Sequence, residues 1–344
     1  MKNLPFKPKQ ITKKLLSVLP ARARDVIEKR YGLGPNGEPP MTLEAIGQTY
    51  GITRERVRQI ENYAIEMIQK SDVYAEYAPL FAELQKEMDL LGGVIAEHDL
   101  LKEFGSDRAA DNHLYFIFVL GIPFNRSKEN STFHHRWFTR EDVASAVETA
   151  LLELHDSLTD DSLLSGEEIV ASILNKLDAL DPAYKREEFA HRWLSLSKVL
   201  AQNPLGEWGL ASSPNVRAKG IRDFAYLAVK RHGSPMHFKE VAESIEKLFA
   251  RKAHVATCHN ELIKDKRFVL VGRGLYALEE WGYSAGVVKD ILHEILKANG
   301  PLPLQEIIER VRKERYVKDN TIMVNLQDRT FFKRLPNGQY AVIG

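Results

Sequence analysis

The sequence has almost no cysteine. Cys258 is the single cysteine in 344 residues, which excludes an intrachain disulfide and any zinc site built from several cysteines. No apolar run approaches the roughly 18–20 residues that span a bilayer. Residues 1–10 (MKNLPFKPKQ) also lack the apolar core of a secretory signal. We therefore expect a cytoplasmic protein without membrane contact, in which Cys258 is a small buried residue.

The chain also has almost no net charge, but its charges are unevenly placed. The formal net charge is +1. Residues 1–70 have 13 Lys and Arg against 7 Asp and Glu, residues 71–216 have 12 against 25, and residues 217–344 have 23 against 15. Basic segments favour a polyanionic partner, whereas a strongly acidic segment repels one. An unevenly charged solvent surface is the alternative interpretation.

Patterns that signal catalysis are missing as well. The sequence has no glycine-rich phosphate loop, nucleophile elbow, His-Glu-x-x-His motif or suitably spaced pair of carboxylates. His113, His134 and His135 have no cysteine nearby, and adjacent histidines cannot share one face of a strand. We therefore expect no enzymatic activity, no cofactor, no metal and no small-molecule ligand.

Residues 42–64 (TLEAIGQTYGITRERVRQIENYA) predict two helices joined by a tight turn. Gly51 lies where the chain must reverse, a position that favours a residue tolerating positive φ. Thr53 is suited to cap the second helix. On that helix Val57, Ile60 and Ala64 recur at spacings of three and four, so they share one buried face.

Charged and amide side chains occupy the other side of the second helix, in its first two turns. A helix-turn-helix has this arrangement because its recognition helix enters the major groove by the N-terminal end. Arginine bonds guanine, glutamine pairs with adenine, and glutamate accepts from cytosine. An ordinary helical hairpin with a charged solvent face is the alternative. The predicted DNA-binding residues here are Thr53, Arg54, Glu55, Arg56, Arg58 and Gln59.

The motifs "LPARARDVIEKRYGL" and "TLEAIGQTYGITRERVRQIE" resemble region four of the sigma-70 family over about residues 11–68. The resemblance implies a helix that reads an upstream promoter element and a domain that docks on the RNA polymerase flap. It assigns base contacts to Arg54, Glu55, Arg58 and Gln59, and a phosphate or protein contact to Arg56. Only about ten residues precede the segment, so we expect that this chain does not open promoters by itself.

Residues 217–344 contain an internal repeat. "HGSPMHFKEVAESI" is echoed by "NGPLPLQEIIERV", and "VATCHNELIKDKRFVLVGRGLYALEE" by "DNTIMVNLQDRTFFKRLPNGQYAVIG". Each unit predicts three helices followed by a β-hairpin with a glycine turn, which is the pattern of a winged helix. Less regular copies occur at residues 165–211 and 92–138.

Residues 220–283 resemble the HARE-type helix-turn-helix domain, which is also found in the delta subunit of some bacterial RNA polymerases. The likeness lies in "PMHFKEVAESI" and "CHNELIKDKRFVLVGRGLYALEEWGY". Basic residues on or beside the predicted wings and third helices are expected to contact phosphate. Binding of a protein and purely structural packing are the alternatives. These residues are Lys264, Arg267, Arg273, Arg329, Lys333 and Arg334.

The sequence thus predicts a mainly α fold with small β-hairpin wings. Its predicted domains are a sigma region 4-like helix-turn-helix (1–70), an acidic helical segment or winged helix (71–150), a winged helix (151–216), a HARE-like winged helix (217–283) and a C-terminal winged helix (284–344). The predicted function is a bacterial, nucleoid-associated transcription regulator that binds double-stranded promoter-like DNA, with RNA polymerase core as a further partner. An auxiliary polymerase-binding protein and a DNA-recognition partner of a nuclease are the alternatives.

Overall fold

The chain is mainly helical with small antiparallel sheets, as the sequence predicts. A computed structural model describes residues 6–34, 38–105, 108–177, 180–283 and 286–343. It has two compact units, Met1–Thr159 with Leu164–Ala201, and Asp160–Leu163 with Gln202–Gly344. Within the described ranges, no helix combines the length and the apolarity that crossing a bilayer requires.

The first unit begins with four helices of the predicted helix-turn-helix segment and continues into a helical region with a small sheet. Its elements are α1 (Pro8–Leu16), α2 (Ala21–Tyr31), α3 (Leu43–Tyr50), α4 (Arg54–Gln69), α5 (Asp72–Glu76), α6 (Ala78–Leu90), β1 (Val94–Ala96), α7 (Glu97–Phe104), α8 (Arg108–Leu120), β2 (Asn125–Ser127), β3 (Arg136–Phe138), α9 (Glu141–Ser157), α10 (Gly166–Asn175) and α11 (Glu187–Trp193). The strands pair in the order β1-β3-β2, all antiparallel.

One hydrophobic core joins the helix-turn-helix segment to the helices that follow it. The second half of α8 (LYFIFVL, residues 114–120) is apolar on all sides, which is typical of a helix segment that is buried all round. Helix α8 packs against α1, α2, α4 and α7, and the ring centres of Phe116 and Tyr31 on α2 are 4.9 Å apart. The predicted boundary at residue 70 therefore lies inside one continuous core. The fully buried side chains of α8 are Leu114, Phe116, Ile117, Phe118 and Leu120.

The second unit repeats one order of elements. Strand β4 (Leu200–Gln202) leads into it, followed by β5 (Trp208–Leu210), α12 (Ile221–His232), β6 (Met236–His237), α13 (Phe238–Phe249), α14 (Val255–Lys264), β7 (Phe268–Gly272), β8 (Leu275–Leu278), α15 (Val288–Asn299), α16 (Leu304–Glu314), α17 (Asp319–Leu326), β9 (Phe332–Arg334) and β10 (Tyr340–Val342). Strands β6, β7 and β8 form a sheet in the order β6-β8-β7, and β9 pairs with β10.

Two cores hold these repeated elements. The first surrounds α12, α13 and α14 and includes Cys258 and Tyr276, which are 0% and 3% exposed. The second surrounds α15, α16 and α17 and includes Phe332 of β9. Burial of Cys258 confirms its expected role as a small core residue, and burial also raises the pKa of its thiol to about 11. Tyr276 is a core residue, so it offers no stacking surface for bases.

We predict that Phe116→Ala destabilises α4 together with α8, because both helices contribute to the same core. Removing a buried phenylalanine typically costs about 3–5 kcal/mol. Hydrogen exchange should show the amides of α4 and α8 losing protection in parallel. Leu152→Ala on α9 is the control, because Leu152 is 39% exposed and such surface changes are usually neutral. Unchanged protection in α4 would show that the segment folds independently.

Candidate nucleic-acid interface

The turn between α3 and α4 depends on two glycines. Gly51 ends α3 with φ of 65°, a left-handed conformation that glycine adopts without strain. Gly47 lies against the turn, because a Cβ at this position would be 2.7 Å from the carbonyl oxygen of Ile52. The amide of Ile52 donates to the carbonyl of Gly47 at 3.0 Å. The turn predicted at Gly51 is confirmed, and Gly47 permits it to close tightly.

Thr53 caps the N-terminus of α4, as predicted. Its Oγ1 accepts a hydrogen bond from the amide of Arg56 at 3.2 Å, which satisfies one of the free amides of the first turn. Val57 and Ala64 are fully buried and Ile60 is half-buried. Because these three lie on one side of α4, the helix has a single orientation against α2 and α3.

The side chains predicted to read DNA all lie on the exposed side of α4. Thr53 at the cap is exposed as well, so the whole predicted set of α4 lies at one accessible helix end. They occupy the first two turns, at the end of the helix that a helix-turn-helix presents to the major groove. The exposed residues are Arg54, Glu55, Arg56, Arg58 and Gln59.

Two polar pairs order this surface within α4 itself. Nε and Nη2 of Arg58 donate to the two carboxylate oxygens of Glu55 at 2.9 and 2.7 Å. Nη1 of Arg56 donates to Oε1 of Gln59 at 2.9 Å. The hydrogen bond from Arg58 holds the pKa of the Glu55 carboxyl below its ordinary value and raises the pKa of the Arg58 guanidinium. Exposed pairs of this kind are weak in water, so a base edge can replace either partner.

A buried polar contact that the sequence analysis missed fixes α4 against α2. The hydroxyl of Tyr31 donates to Oε1 of Glu61 at 2.8 Å, and Nε of Arg30 donates to the same oxygen at 3.2 Å. Burial, and then the charge of Glu61, raise the pKa of the Tyr31 phenol. Glu61 follows Val57 by four residues, so it lies on the buried face of α4. A carboxylate on a buried helix face needs a polar partner, and this sequence signal could have indicated the contact.

The side of the segment away from α4's exposed surface is covered by the rest of the first unit. Nδ2 of Asn112 on α8 donates to the carbonyl of Gly32 at 3.0 Å. Within the described part of residues 15–70, Tyr63 is the single large hydrophobic side chain that is exposed, at 55%. The segment thus presents polar groups to solvent and keeps its apolar surface inside.

The basic residues predicted in the second unit divide into exposed and engaged side chains. Arg273 lies at the tip between β7 and β8, and Lys264 at the end of α14. The residues that are exposed are Lys264, Arg273, Arg329, Lys333 and Arg334.

Arg267 differs from these residues. Its guanidinium donates to Asp265 at 2.6 Å, to Asp223 at 3.1 Å and to Asn215 at 2.9 Å. Its carbon centre also lies 4.8 Å from the ring centre of Tyr226. These contacts use the donors of Arg267 inside the unit, so the side chain holds α12 to the start of β7 and is not placed to contact phosphate.

Comparison with known proteins identifies the N-terminal segment. Residues 15–70 match the family model described as Sigma-70, region 4. RNA polymerase sigma factor SigA1 of Synechococcus elongatus is 42% identical over 66 residues, which are 18% of this chain and 16% of that protein. SigA of a Nostoc species is 43% identical over 67 residues, 19% of this chain and 17% of that protein. The chain spans about a sixth of the length of these curated relatives.

The match at residues 15–70 confirms the region 4 helix-turn-helix that the sequence predicts over about residues 11–68. Region 4 of sigma-70 is a DNA-binding domain without enzymatic activity. The similarity extends over less than a fifth of this chain. The matched residues run from the end of α1 through α4, and the rest of the chain has to be interpreted from its own structure.

We predict that Thr53→Ala destabilises the first turn of α4 by about 1 kcal/mol, because the amide of Arg56 loses its capping acceptor. Thr53→Ser keeps a hydroxyl at the same place and should stay within a few tenths of a kcal/mol of the parent. Hydrogen exchange of the Arg56 amide measures this local opening. Equal protection of the Arg56 amide in both variants would show that the cap does not stabilise the first turn of α4.

Proposed function

We propose that this protein is a sequence-specific DNA-binding transcription regulator that reads a promoter-like duplex through α4. One observation carries the proposal: the side chains that suit base edges are exposed together at the N-terminal end of α4, while the opposite side of the helix is locked in the core. These side chains are Arg54, Glu55, Arg58 and Gln59.

Arg58 and Glu55 suit a readout in which a base replaces an internal partner. The guanidinium of Arg58 already bonds a planar pair of acceptors with two parallel hydrogen bonds. Guanine offers a similar pair of acceptors, O6 and N7, in the major groove. On the proposed site Arg58 exchanges the carboxylate for guanine, and the released Glu55 accepts from a cytosine amino group.

The burial of the segment's apolar surface supports DNA as the main partner. Protein interfaces are typically centred on desolvated apolar or aromatic side chains. In the described part of residues 15–70 that role falls to Tyr63 alone, whereas charged and amide groups cluster at the start of α4. A polyanion with hydrogen-bonding edges matches this surface better than an apolar protein face.

The second unit supplies candidate winged helices. The order α12, β6, α13, α14, β7, β8 with strands in the order β6-β8-β7 is the arrangement we assign to the proposed HARE-like domain at residues 217–283. Elements α15, α16, α17, β9 and β10 follow the same order, and Leu302 bridges Tyr340 beside them. The first unit contains the same order of elements, which supports a winged helix in the acidic segment at residues 71–150. These elements are α6, β1, α7, α8, β2 and β3.

Exposed cations in the second unit would add sequence-independent contacts to the DNA backbone. Such contacts fix position and add affinity without reading bases. Arg267 is left out because its donors are engaged within the unit. The proposed contacts are Lys264, Arg273, Arg329, Lys333 and Arg334. A transcription regulator of this kind would act in the bacterial cytoplasm, at the nucleoid.

A second candidate function is an auxiliary RNA polymerase-binding protein. It is favoured by the relatives, which are RNA polymerase sigma factors. In this case region 4 would contact polymerase in the absence of DNA. The exposed ring of Tyr63 on α4 is the apolar group available to such a contact in the described segment.

We predict that Arg58→Ala and Gln59→Ala each weaken binding to a selected duplex by about 10- to 100-fold and relax the base preference at one position. The physical reason is the loss of hydrogen bonds that only the correct base completes. Selection from a random duplex pool with the full chain, followed by affinity measurements on the selected and scrambled sequences, gives both quantities.

Lys70→Ala is the matched control for these variants, because Lys70 is an exposed cation at the far end of the same helix. It should leave the base preference unchanged. Arg273→Ala and Lys333→Ala should weaken selected and scrambled duplexes alike. If the selection profiles of Arg58→Ala and Gln59→Ala equal that of the parent, the assignment of α4 to base reading is wrong.

We also predict that capture of core RNA polymerase by the full chain requires DNA. Nuclease treatment should reduce the captured polymerase at least about tenfold, since the proposed partner of α4 is the duplex. Capture that survives nuclease and about 1 M salt, where charges are screened beyond about 3 Å, and that Tyr63→Ala weakens, would support the second candidate and contradict the first.

A further inference from the structure

A bulge in β7 leaves a backbone acceptor on the edge of its sheet. In the pairing of β7 with β8, Leu270 is opposite Tyr276 and Gly272 is opposite Leu275, so Val271 is the extra residue. Strand β7 is the last strand of the order β6-β8-β7, and its outer edge has no strand partner among the residues that the structure describes. Such edges expose unpaired backbone groups.

The segment before α17 covers this edge. The amide of Tyr316 donates to the carbonyl of Val271 at 2.8 Å. Arg315 is extended, with φ of −145° and ψ of 139°, so the chain runs beside β7 like a short added strand. Gly272 permits the close approach, because a Cβ there would lie 3.0 Å from the carbonyl oxygen of Tyr316.

Side chains hold the same junction. Nη2 of Arg315 donates to the carbonyl of Gly286 at 2.9 Å, and Arg315 is only 3% exposed. The side chains of Tyr283 and Tyr316 also share a hydrogen bond. Burial raises the pKa of the Tyr283 phenol, and the contact with Tyr316 raises it further. The elements α12–β8 and α15–β10 are therefore joined by backbone and side-chain contacts and not by the connecting chain alone.

The junction places two exposed cations near each other. Arg273 follows Val271 by two residues, and Lys318 follows Tyr316 by two residues; both are exposed. Each two-residue step spans at most about 7 Å, and hydrogen-bonded strands lie about 5 Å apart. The α-carbons of Arg273 and Lys318 thus lie within about 20 Å, which is less than one turn of duplex DNA at about 34 Å.

The carboxylate of Asp319, next to Lys318, is neutralised by a cation and therefore does not repel an anion. Asp319 receives two hydrogen bonds at 2.8 Å from Nη2 of Arg312, one to each carboxylate oxygen. This pairing compensates the carboxylate. Neither Arg273 nor Lys318 takes part in an ion pair with the residues that the structure describes.

We propose that the tip between β7 and β8 and the start of α17 form one composite surface that contacts a single DNA duplex, with Arg273 and Lys318 on phosphates less than one helical turn apart. The inference rests on the proposed DNA-binding function, and it adds Lys318 as a contact and the junction at Tyr316 as the device that sets the spacing. Two independently tethered modules would set no such spacing, because a flexible connection permits many separations.

The spacing is tested first without DNA. Spin labels at Arg273→Cys and Lys318→Cys in the full chain report the distance between the two positions, and native Cys258 is fully buried and does not compete for the label. We expect one narrow distribution centred below about 30 Å once the reach of the labels is added. A broad distribution in the parent background overturns the proposal.

A proline at position 316 isolates the backbone contact. Tyr316→Pro removes the amide that bonds Val271, and the extended backbone of Arg315 suits a residue before proline. Tyr316→Ala loses the same side chain, including its hydrogen bond with Tyr283, but keeps the amide, and it serves as the control. The distribution should be broader in Tyr316→Pro than in Tyr316→Ala, and equal widths in both would contradict the role of the backbone hydrogen bond.

The DNA contact is tested by photocrosslinking from the same single cysteines to a duplex of about 40 base pairs that contains the selected site. We expect both positions to crosslink to one duplex, at backbone positions fewer than about 10 base pairs apart. Arg273→Ala and Lys318→Ala should each lower the slope of log affinity against log salt by about 0.9.

The outcomes separate this inference from the proposed function. Crosslinks more than a turn apart, or none from either position while Arg58→Ala still changes the base preference, overturn the composite surface and leave α4's role standing. If the parent chain selects no base preference at all, the proposed function is contradicted, whatever distance the spin labels report. A narrow distance together with crosslinks within one turn supports the composite surface.

Discussion

The arrangement of the interface depends on the burial of one side of α4. Val57, Ala64 and Ile68 are fully buried. Because an α-helix has 3.6 residues per turn, burial of these residues determines the direction in which the other side chains of α4 point. Thr53 fixes where the helix begins, and the contact of Glu61 with Tyr31 fixes how it rests on α2. Together these constraints keep the side chains that we propose to read DNA exposed at one end of the helix. A surface loop with the same residues would have to be ordered on binding.

The second constraint is the continuity of the core through α8. The helix-turn-helix segment is joined to the rest of the first unit by packing and not by a linker alone, because α8 packs directly on α1, α2 and α4. Acidic residues concentrate in the part of the chain that supplies this support, at 25 Asp and Glu against 12 Lys and Arg over residues 71–216. In the proposed function, a negatively charged support disfavours the approach of phosphates to the first unit anywhere but at the basic start of α4.

Local features of the site could be predicted from the sequence because their causes lie within a few residues. The glycine turn at Gly51, the cap at Thr53 and the buried spacing of Val57 and Ala64 each follow from local backbone or helical geometry. The family match at residues 15–70 agrees with these local predictions.

Non-local contacts could not be predicted in this way. Arg267 directly precedes β7 of the β7–β8 hairpin, but its partner Asp223 is 44 residues away, and the pairing changes its role. The contact of Tyr316 with Val271 joins two copies of a repeat that the pattern treats as separate units. The core shared by α4 and α8 crosses the charge step at residue 70, which the composition suggested as a boundary. Packing between distant segments leaves little trace in local periodicity.

The most direct test of base reading by α4 is a set of duplexes in which single guanines of the selected site are replaced by 7-deazaguanine. This base keeps its pairing but lacks the N7 acceptor that a guanidinium bonds in the major groove. The account predicts that replacement of at least one guanine weakens binding by the parent chain and has no effect on the one variant, Arg58→Ala or Arg54→Ala, that lacks the arginine contacting that guanine. If each replacement leaves the affinity of the parent unchanged, or weakens both arginine variants as much as the parent, α4 does not read guanine in the major groove.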